Sequence, residues 1–299
     1  MKYNKKTIKL KNGEQLAYIE QGSGDNTLLL IHGNLSSSVH YHPLLVRLPE
    51  DQHTISVDLR GFGDSSYNKE FDHLDELAED LVLFIKKLKL KTPLKVAGWS
   101  AGGGVALSLA AHYPDLVSHV ILIDSMSYRG LPIYAKDATG KSMIGTFYKK
   151  KAEMALDPIQ VLPVANALKN KDLAFMNYIW DLAIYNIKKP SVEENELYMA
   201  ETFKQRCLVD LDWALTQFNI GVGANYYGID GDRSIVNMKA KVLAVYGLDD
   251  KTVPEFMARE TVGALASKAH LITYKNCGHS PLVDNPDQLA KDLLAFIKE

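Results

Sequence analysis

Gly98-Trp99-Ser100-Ala101-Gly102 is the stretch whose residue types and spacing point most directly to chemistry. It follows the apolar run Leu94-Lys95-Val96-Ala97 and leads into Val105-Ala106-Leu107-Ser108-Leu109-Ala110, a helix-like segment. A serine on a sharp strand-to-helix turn takes up a strained backbone, and glycines two residues to either side leave room where a Cβ would collide. Such a nucleophile elbow holds the hydroxyl out toward a substrate. By itself Gly-x-Ser-x-Gly is a weak signal, because glycine-rich loops produce it by chance, so the rest of the chain has to supply the other parts.

Serine is a poor nucleophile at neutral pH and needs a base beside it, a carboxylate to orient the base, and donors for a developing oxyanion. All four parts fall at the ends of expected strands. Ser100 closes the strand around residues 94–97, and His32-Gly33-Asn34 closes Leu28-Leu29-Leu30-Ile31. Asp250 lies in the loop after residues 242–246, and His279 in the loop after residues 271–274.

The elements that position these residues follow from hydrophobic patterning. Alternating runs at residues 7–11 and 15–21 flank Asn12-Gly13, a strong hairpin signal. From residue 27 onward, short β-rich apolar runs alternate with helical patterns, including residues 41–48 and 74–90. Strands so uniformly apolar imply a sheet covered on both faces, and their alternation with helices makes it mostly parallel and doubly wound, an α/β fold. The rhythm is lost after Asp124 and resumes at Lys241, continuing to a final amphipathic helix at about residues 286–298.

Residues 127–236 read as several helices without convincing strands, one of them starting with a capping box at Ser191 and Glu194. We therefore expect one α/β core domain, residues 1–126 and 237–299, split by a helical cap at 127–236. The cap is rich in aromatics, among them Tyr148, Phe175, Trp180, Tyr185 and Trp213. Most should pack its own core and its seat on the sheet, and some should line an apolar pocket above the elbow.

A chain of 299 residues that is 46% hydrophobic is long and apolar enough for a large buried core. With 34 basic and 36 acidic residues, a formal net charge of -2 gives no reason to expect nucleic acid or an anionic membrane surface as partner. The basic run Lys149-Lys150-Lys151 reads as a solvated face. Two distant cysteines, Cys207 and Cys277, read as free thiols rather than a disulfide framework. The polar N-terminus shows no secretory signal, no run approaches the roughly 20 apolar residues of a membrane helix, and a cytoplasmic location is the default. His40 and His42 stand two apart but in a helical pattern without accompanying carboxylates, so no metal is expected there. No cofactor is implied, and the patterning carries no signal of oligomeric state.

Five pieces, His32-Gly33-Asn34, Asp58-Leu59-Arg60-Gly61-Phe62-Gly63-Asp64-Ser65, Gly98-Trp99-Ser100-Ala101-Gly102, Gly247-Leu248-Asp249-Asp250 and Cys277-Gly278-His279-Ser280-Pro281, resemble the α/β-hydrolase fold superfamily over nearly the whole chain. They stand in that family's order, nucleophile, acid, histidine. The resemblance implies that Ser100 attacks an acyl carbonyl, that His279 takes and later returns a proton, and that Asp250 orients the imidazole. It assigns the oxyanion donors to the backbone N–H groups of Ala101 and Asn34. Asp250 is preferred to Asp249 by its distance from Gly247, and Asp124 is kept as an alternative acid because some members carry it there. The stretch from Asp58 to Ser65 is read as a braced structural turn, and His32 as a brace of the oxyanion loop.

A serine at the elbow argues against dehalogenase and epoxide hydrolase chemistry, which use aspartate there in this fold. The function so implied is a serine hydrolase of small to medium, apolar carboxylic esters. A lactonase acting on acyl-homoserine-lactone-like substrates is the near alternative. A ligand-binding receptor with vestigial hydrolase activity is the alternative of another class. Because an imidazole base must be neutral and an unperturbed histidine titrates near about 6.5, activity is expected to fall as pH drops through roughly 6 to 7.

Overall fold

The computed structural model describes residues 3–299 of the chain. Ten strands occur among them: β1 (Lys6–Lys9), β2 (Gln15–Gln21), β3 (Leu28–Ile31), β4 (Thr54–Val57), β5 (Leu94–Trp99), β6 (Val117–Ile123), β7 (Tyr134–Lys136), β8 (Ser142–Phe147), β9 (Lys241–Gly247) and β10 (Ala269–Tyr274). Eight of them form one sheet in the order β1-β2-β4-β3-β5-β6-β9-β10. The β1–β2 and β2–β4 pairings are antiparallel, and every pairing from β4 to β10 is parallel.

Sheet position explains the composition of the strands. In β3 all four residues are fully buried, as expected for a strand covered by helices on both faces. Each such side chain contributes roughly 1.5–3 kcal/mol of burial free energy. The helices Leu74–Leu88 and Ala101–His112 pack together on one face, with Leu77, Leu81, Val105 and Leu109 in a shared core with Leu29 and Val96. The opposite face joins Leu28, Leu30, Ala97 and Ile121 to Leu289 and Leu293 of the C-terminal helix Pro286–Phe296. Parallel strands aim their C-terminal ends, and the loops that follow, at one edge of the sheet.

Two expectations need correction. The segment between β6 and β9 is not purely helical, because β7 and β8 form an antiparallel hairpin. Its turn is made by Asp137, whose carboxylate accepts from the N–H groups of Thr139 and Lys141, and by Gly140 at φ +83°. Most of β8 is exposed, so nothing selects an alternating apolar pattern and the strand left no periodic signal. Residues 41–48 do not form one regular helix either; a single 3-10 turn, Ser38–Tyr41, passes into the short helix His42–Leu45. The four main helices of the segment are Leu162–Asn170, Leu173–Ala183, Val192–Thr202 and Leu208–Gln217, and the third carries the expected Ser191/Glu194 capping box.

Polar contacts seat this segment on the sheet domain. The Lys5 ammonium is nearly buried between Asp58 at 2.7 Å and Glu201 at 2.6 Å. Lys151 bridges Asp72 at 2.9 Å and also Asp210, so this end of the basic run is an anchor rather than a solvated face. No helix among the described residues is long and apolar enough to cross a membrane. Cys207 and Cys277 are buried free thiols.

Candidate active site

The loops after β3, β5, β9 and β10 meet at one cavity of about 200 Å3, lined by Asn34, Trp99, Ser100, Trp180, Thr252 and His279 among others. A larger open groove of about 860 Å3, along Tyr67, Lys151, Arg206 and Asp210, holds none of the four loop motifs.

Ser100 has φ 54° and ψ −121°, a conformation rarely adopted by a residue with a side chain. Its N–H donates to Ile123 O at 2.9 Å, fixing the turn against β6. A Cβ on Gly102 would stand 2.2 Å from Ile31 O, and one on Gly33 would stand 2.9 Å from Ser100 Cβ. The turn after β3 and the elbow therefore approach more closely than side chains would permit.

His279 Nδ1 lies 2.8 Å from Asp250 Oδ2, with both side chains buried. An ionised carboxylate only accepts, so Nδ1 carries the proton and Nε2 is left as the acceptor. Asp250 is held in turn by the N–H groups of Thr252 at 2.6 Å and Val253 at 3.1 Å. Trp99 Nε1 donates to His279 O at 2.7 Å, which ties the histidine loop to the residue before Ser100. Among the described residues no hydrogen bond joins the Ser100 hydroxyl to the imidazole, a looseness common before substrate binds.

Asp124 lies behind Asp250 instead of on the imidazole. Its Oδ1 accepts from Gly247 N at 2.8 Å, while its buried Oδ2 faces no donor among the described residues. Burial, and after it the neighbouring Asp250 carboxylate, push its pKa well above the usual carboxylate range. Two carboxyls so placed need a shared proton, and the deeper one is the one to carry it.

The Asn34 N–H has no acceptor among the described residues, and Ala101 opens the helix Ala101–His112, where the N–H lacks an intrahelical partner. Asn34 is clamped through its side chain: Nδ2 donates to Asp212 Oδ1 at 2.9 Å, and Oδ1 accepts from Gln205 Nε2 at 2.8 Å. Gln205 Oε1 also accepts from Leu35 N at 2.9 Å. Neither Gln205 nor Asp212 was marked by the sequence, since a polar residue in a helical segment reads as a surface position. Burial pushes the Asp212 carboxyl up to about 7.

His32 is fully buried, accepts from Leu59 N at 3.0 Å and lies 2.8 Å from Gly33 O, so it braces the turn that carries Asn34. Burial lowers its pKa to about 4 and keeps it neutral. The turn from Asp58 to Ser65 is braced as expected, with Asp58 accepting from the N–H groups of Ser38 and Asp64, and Arg60 pairing with Asp80 at 2.7 Å. His40 is wholly enclosed, stacked on Trp180 and Tyr198, with Nδ1 accepting from Ser37 N.

Two groups of acids and histidine bring ligand atoms within 4.8 Å of one another, Asp58/Asp64/Glu201 and Asp75/His112/Asp232. The Lys5 ammonium already fills the first. Neither adjoins the Ser100 cavity.

Comparison with known proteins agrees with this architecture. A family model described as alpha/beta hydrolase fold matches residues 26–286. Lipase 1 of Psychrobacter immobilis is 25% identical over 97% of this chain and 83% of its own length. A bifunctional esterase/perhydrolase of Acinetobacter calcoaceticus is 24% identical over 97% of this chain and 99% of its own. An esterase structure from Exiguobacterium antarcticum superposes with a TM-score of 0.73 at 18% identity, covering 98% of this chain and 99% of that one. With its elbow, its eight-stranded sheet and a family match over most of its length, the chain belongs to the α/β-hydrolase fold family.

Proposed function

We propose that the protein is a serine hydrolase of carboxylic esters, of esterase or lipase type, working through an acyl-enzyme. The observation that carries this reading is His279, paired with the buried Asp250 carboxylate at 2.8 Å and lining one cavity with a serine at φ 54°. The esterases and lipases among its relatives support it.

Ser100 Oγ attacks the acyl carbonyl and gives its proton to His279 Nε2. The carbonyl oxygen, now anionic, is held by the N–H groups of Ala101 and Asn34. Collapse breaks the bond to the alkoxy oxygen, which leaves as the alcohol with the proton from His279. Water then attacks the acyl-enzyme, its proton passing through His279 back to Ser100, and the carboxylic acid departs. Asp250 holds the imidazole tautomer and stabilises the imidazolium. Asp124, protonated, donates to Asp250 from behind and is not itself the acid of the triad.

Residues 127–236 act as the cap over this site. Trp180, Ile179 and Ile184 from that segment supply an apolar roof over the His279 side of the site, which favours an apolar group on the part of the ester that lies beneath it. Hydrolysis of a chain-length series of p-nitrophenyl esters beside acyl-homoserine lactones, comparing wild type with Ser100→Ala, tests the reading. Serine-dependent turnover of linear esters supports it. Turnover confined to lactones makes the protein a lactonase, and none in either series favours a ligand-binding role.

A further inference from the structure

The cavity shared by Ser100 and His279 has a neighbour on the other side of the serine. This second chamber, about 230 Å3, is lined by Ser100, Ala101, Met126, Leu131, Ile133 and Val164, with Asp212 among its walls. It holds roughly eight non-hydrogen atoms at the ~30 Å3 that each water occupies in the liquid.

The two chambers share Asn34, Leu35, Ser100 and Thr252 but otherwise differ in lining. His279, which must return a proton to the leaving alcohol, lines the first and not the second. Ala101, one of the two oxyanion donors, lines the second. On the hydrolase reading above, on which this inference rests, the alcohol portion belongs beside His279 and the acyl chain in the chamber containing Asp212.

Asp212 is out of place there unless it meets a ligand. It is the one acidic or basic residue in an otherwise mostly apolar lining, and only 7% exposed. Its Oδ1 accepts from Asn34, and its Oδ2 makes no hydrogen bond among the described residues. No basic side chain pairs with it: Lys136, behind Gln160 of the same wall, is committed to Asp157 at 3.0 Å and to Gln160 Oε1 at 2.6 Å. Burial and then the Asp157 charge hold its carboxyl near pH 7, where an arriving cation would ionise it. A buried carboxyl with one oxygen unpartnered costs free energy that a donor on the ligand would recover.

We propose that Asp212 is the specificity-determining residue of an acyl subsite, and that this chamber selects acyl chains ending in a hydrogen-bond donor, an ammonium group above all. An alkyl terminus of the same size leaves Oδ2 bare, and a site built around a polar group discriminates strongly against a ligand lacking its partner. If Asp212 served only to hold Asn34, its replacement would slow every ester alike.

The test compares p-nitrophenyl 6-aminohexanoate with heptanoate, and 3-aminopropanoate with butanoate, at pH 7.5. Each pair exchanges an ammonium for a methyl group. The wild type should show at least a tenfold higher kcat/KM for the amino member of one pair. Asp212→Asn, which keeps an acceptor for Asn34, should lower that ratio at least fivefold, and Asp212→Leu should invert it. A wild-type ratio of one or less at both lengths overturns the proposal, as does a ratio unchanged in Asp212→Asn. Should the leucine variant fail to fold, the asparagine variant decides alone. If no ester shows Ser100-dependent turnover, the hydrolase reading falls, and the chamber is judged by thermal shift of the Ser100→Ala protein. A larger rise in Tm with 6-aminohexanamide than with heptanamide supports the subsite, and an equal or smaller rise overturns it.

Discussion

The floor of the cavity and its roof are held in place by different physics. On the floor, backbone crowding sets the geometry: Gly33, Ser100 and Gly102 approach one another so closely that an added methyl would overlap carbonyl oxygens or the serine itself. In the roof, Trp180 supplies apolar cover while Gln205 and Asp212 reach down to clamp Asn34 with hydrogen bonds of 2.8–2.9 Å. Covalent geometry leaves the floor few alternatives, whereas side-chain hydrogen bonds exchange with water at a net cost of about 1 kcal/mol each. The floor should therefore tolerate almost no substitution, and the roof should tune rate, specificity and pH response by degrees.

The sharpest break with that comparison would come from the proposed triad. Asp250→Asn should lower kcat about 10⁴-fold while leaving the fold intact, as replacement of a triad acid does elsewhere. Asp124→Asn should cost less than about tenfold, because it retains a donor toward Asp250. Steady-state kinetics on one ester checks both, and a reversed ranking would make Asp124 the acid.

Asp212→Asn should change how stability depends on pH. The carboxyl's folded value of about 7 lies above its unfolded 3.8, so the native state binds a proton that the unfolded chain has released. Wild-type stability is thus eroded as pH rises from about 4 to 7, by up to about 4 kcal/mol for this group alone. The asparagine variant lacks that term and should gain stability relative to wild type between pH 5 and pH 8. Thermal unfolding at the two pH values reads the sign directly.

Gly102→Ala should cost about 3 kcal/mol or more, since a backbone carbonyl cannot yield to the new methyl as a flexible side chain would. A loss below about 1 kcal/mol in denaturant unfolding would remove the contrast with the roof. Gln205→Ala is the mildest case. With Asn34 Oδ1 and Leu35 N each losing one partner and keeping only each other at 2.9 Å, kcat/KM should fall about tenfold, equivalent to one hydrogen bond, with little change in Tm.

How much of this was legible before folding differs between the same two regions. Ser100, Asp250 and His279 could be read from the chain because each sits at the end of an apolar strand, and strand ends in a parallel sheet gather at one edge. Gly98 and Gly102 announced the elbow by residue type. The hairpin of β7 and β8 was missed because its exposed β8 carries no alternation, although Asp137 and Gly140 held the turn signal. Gln205 and Asp212 had no local signal at all, being polar side chains in and beside helices whose partner Asn34 lies 171 and 178 residues away.

The sequence by itself determined the main sheet, the strained serine and the placing of Ser100, Asp250 and His279 after strand ends, since these follow from short-range periodicity and from where only glycine fits. Only the tertiary structure decided that Asp250 and not Asp124 meets His279, that Asn34 is clamped from above, and that a lone carboxyl faces the second chamber. Those are relations of distance between residues far apart in the chain, and such distances exist only once loop closure and burial have brought them together.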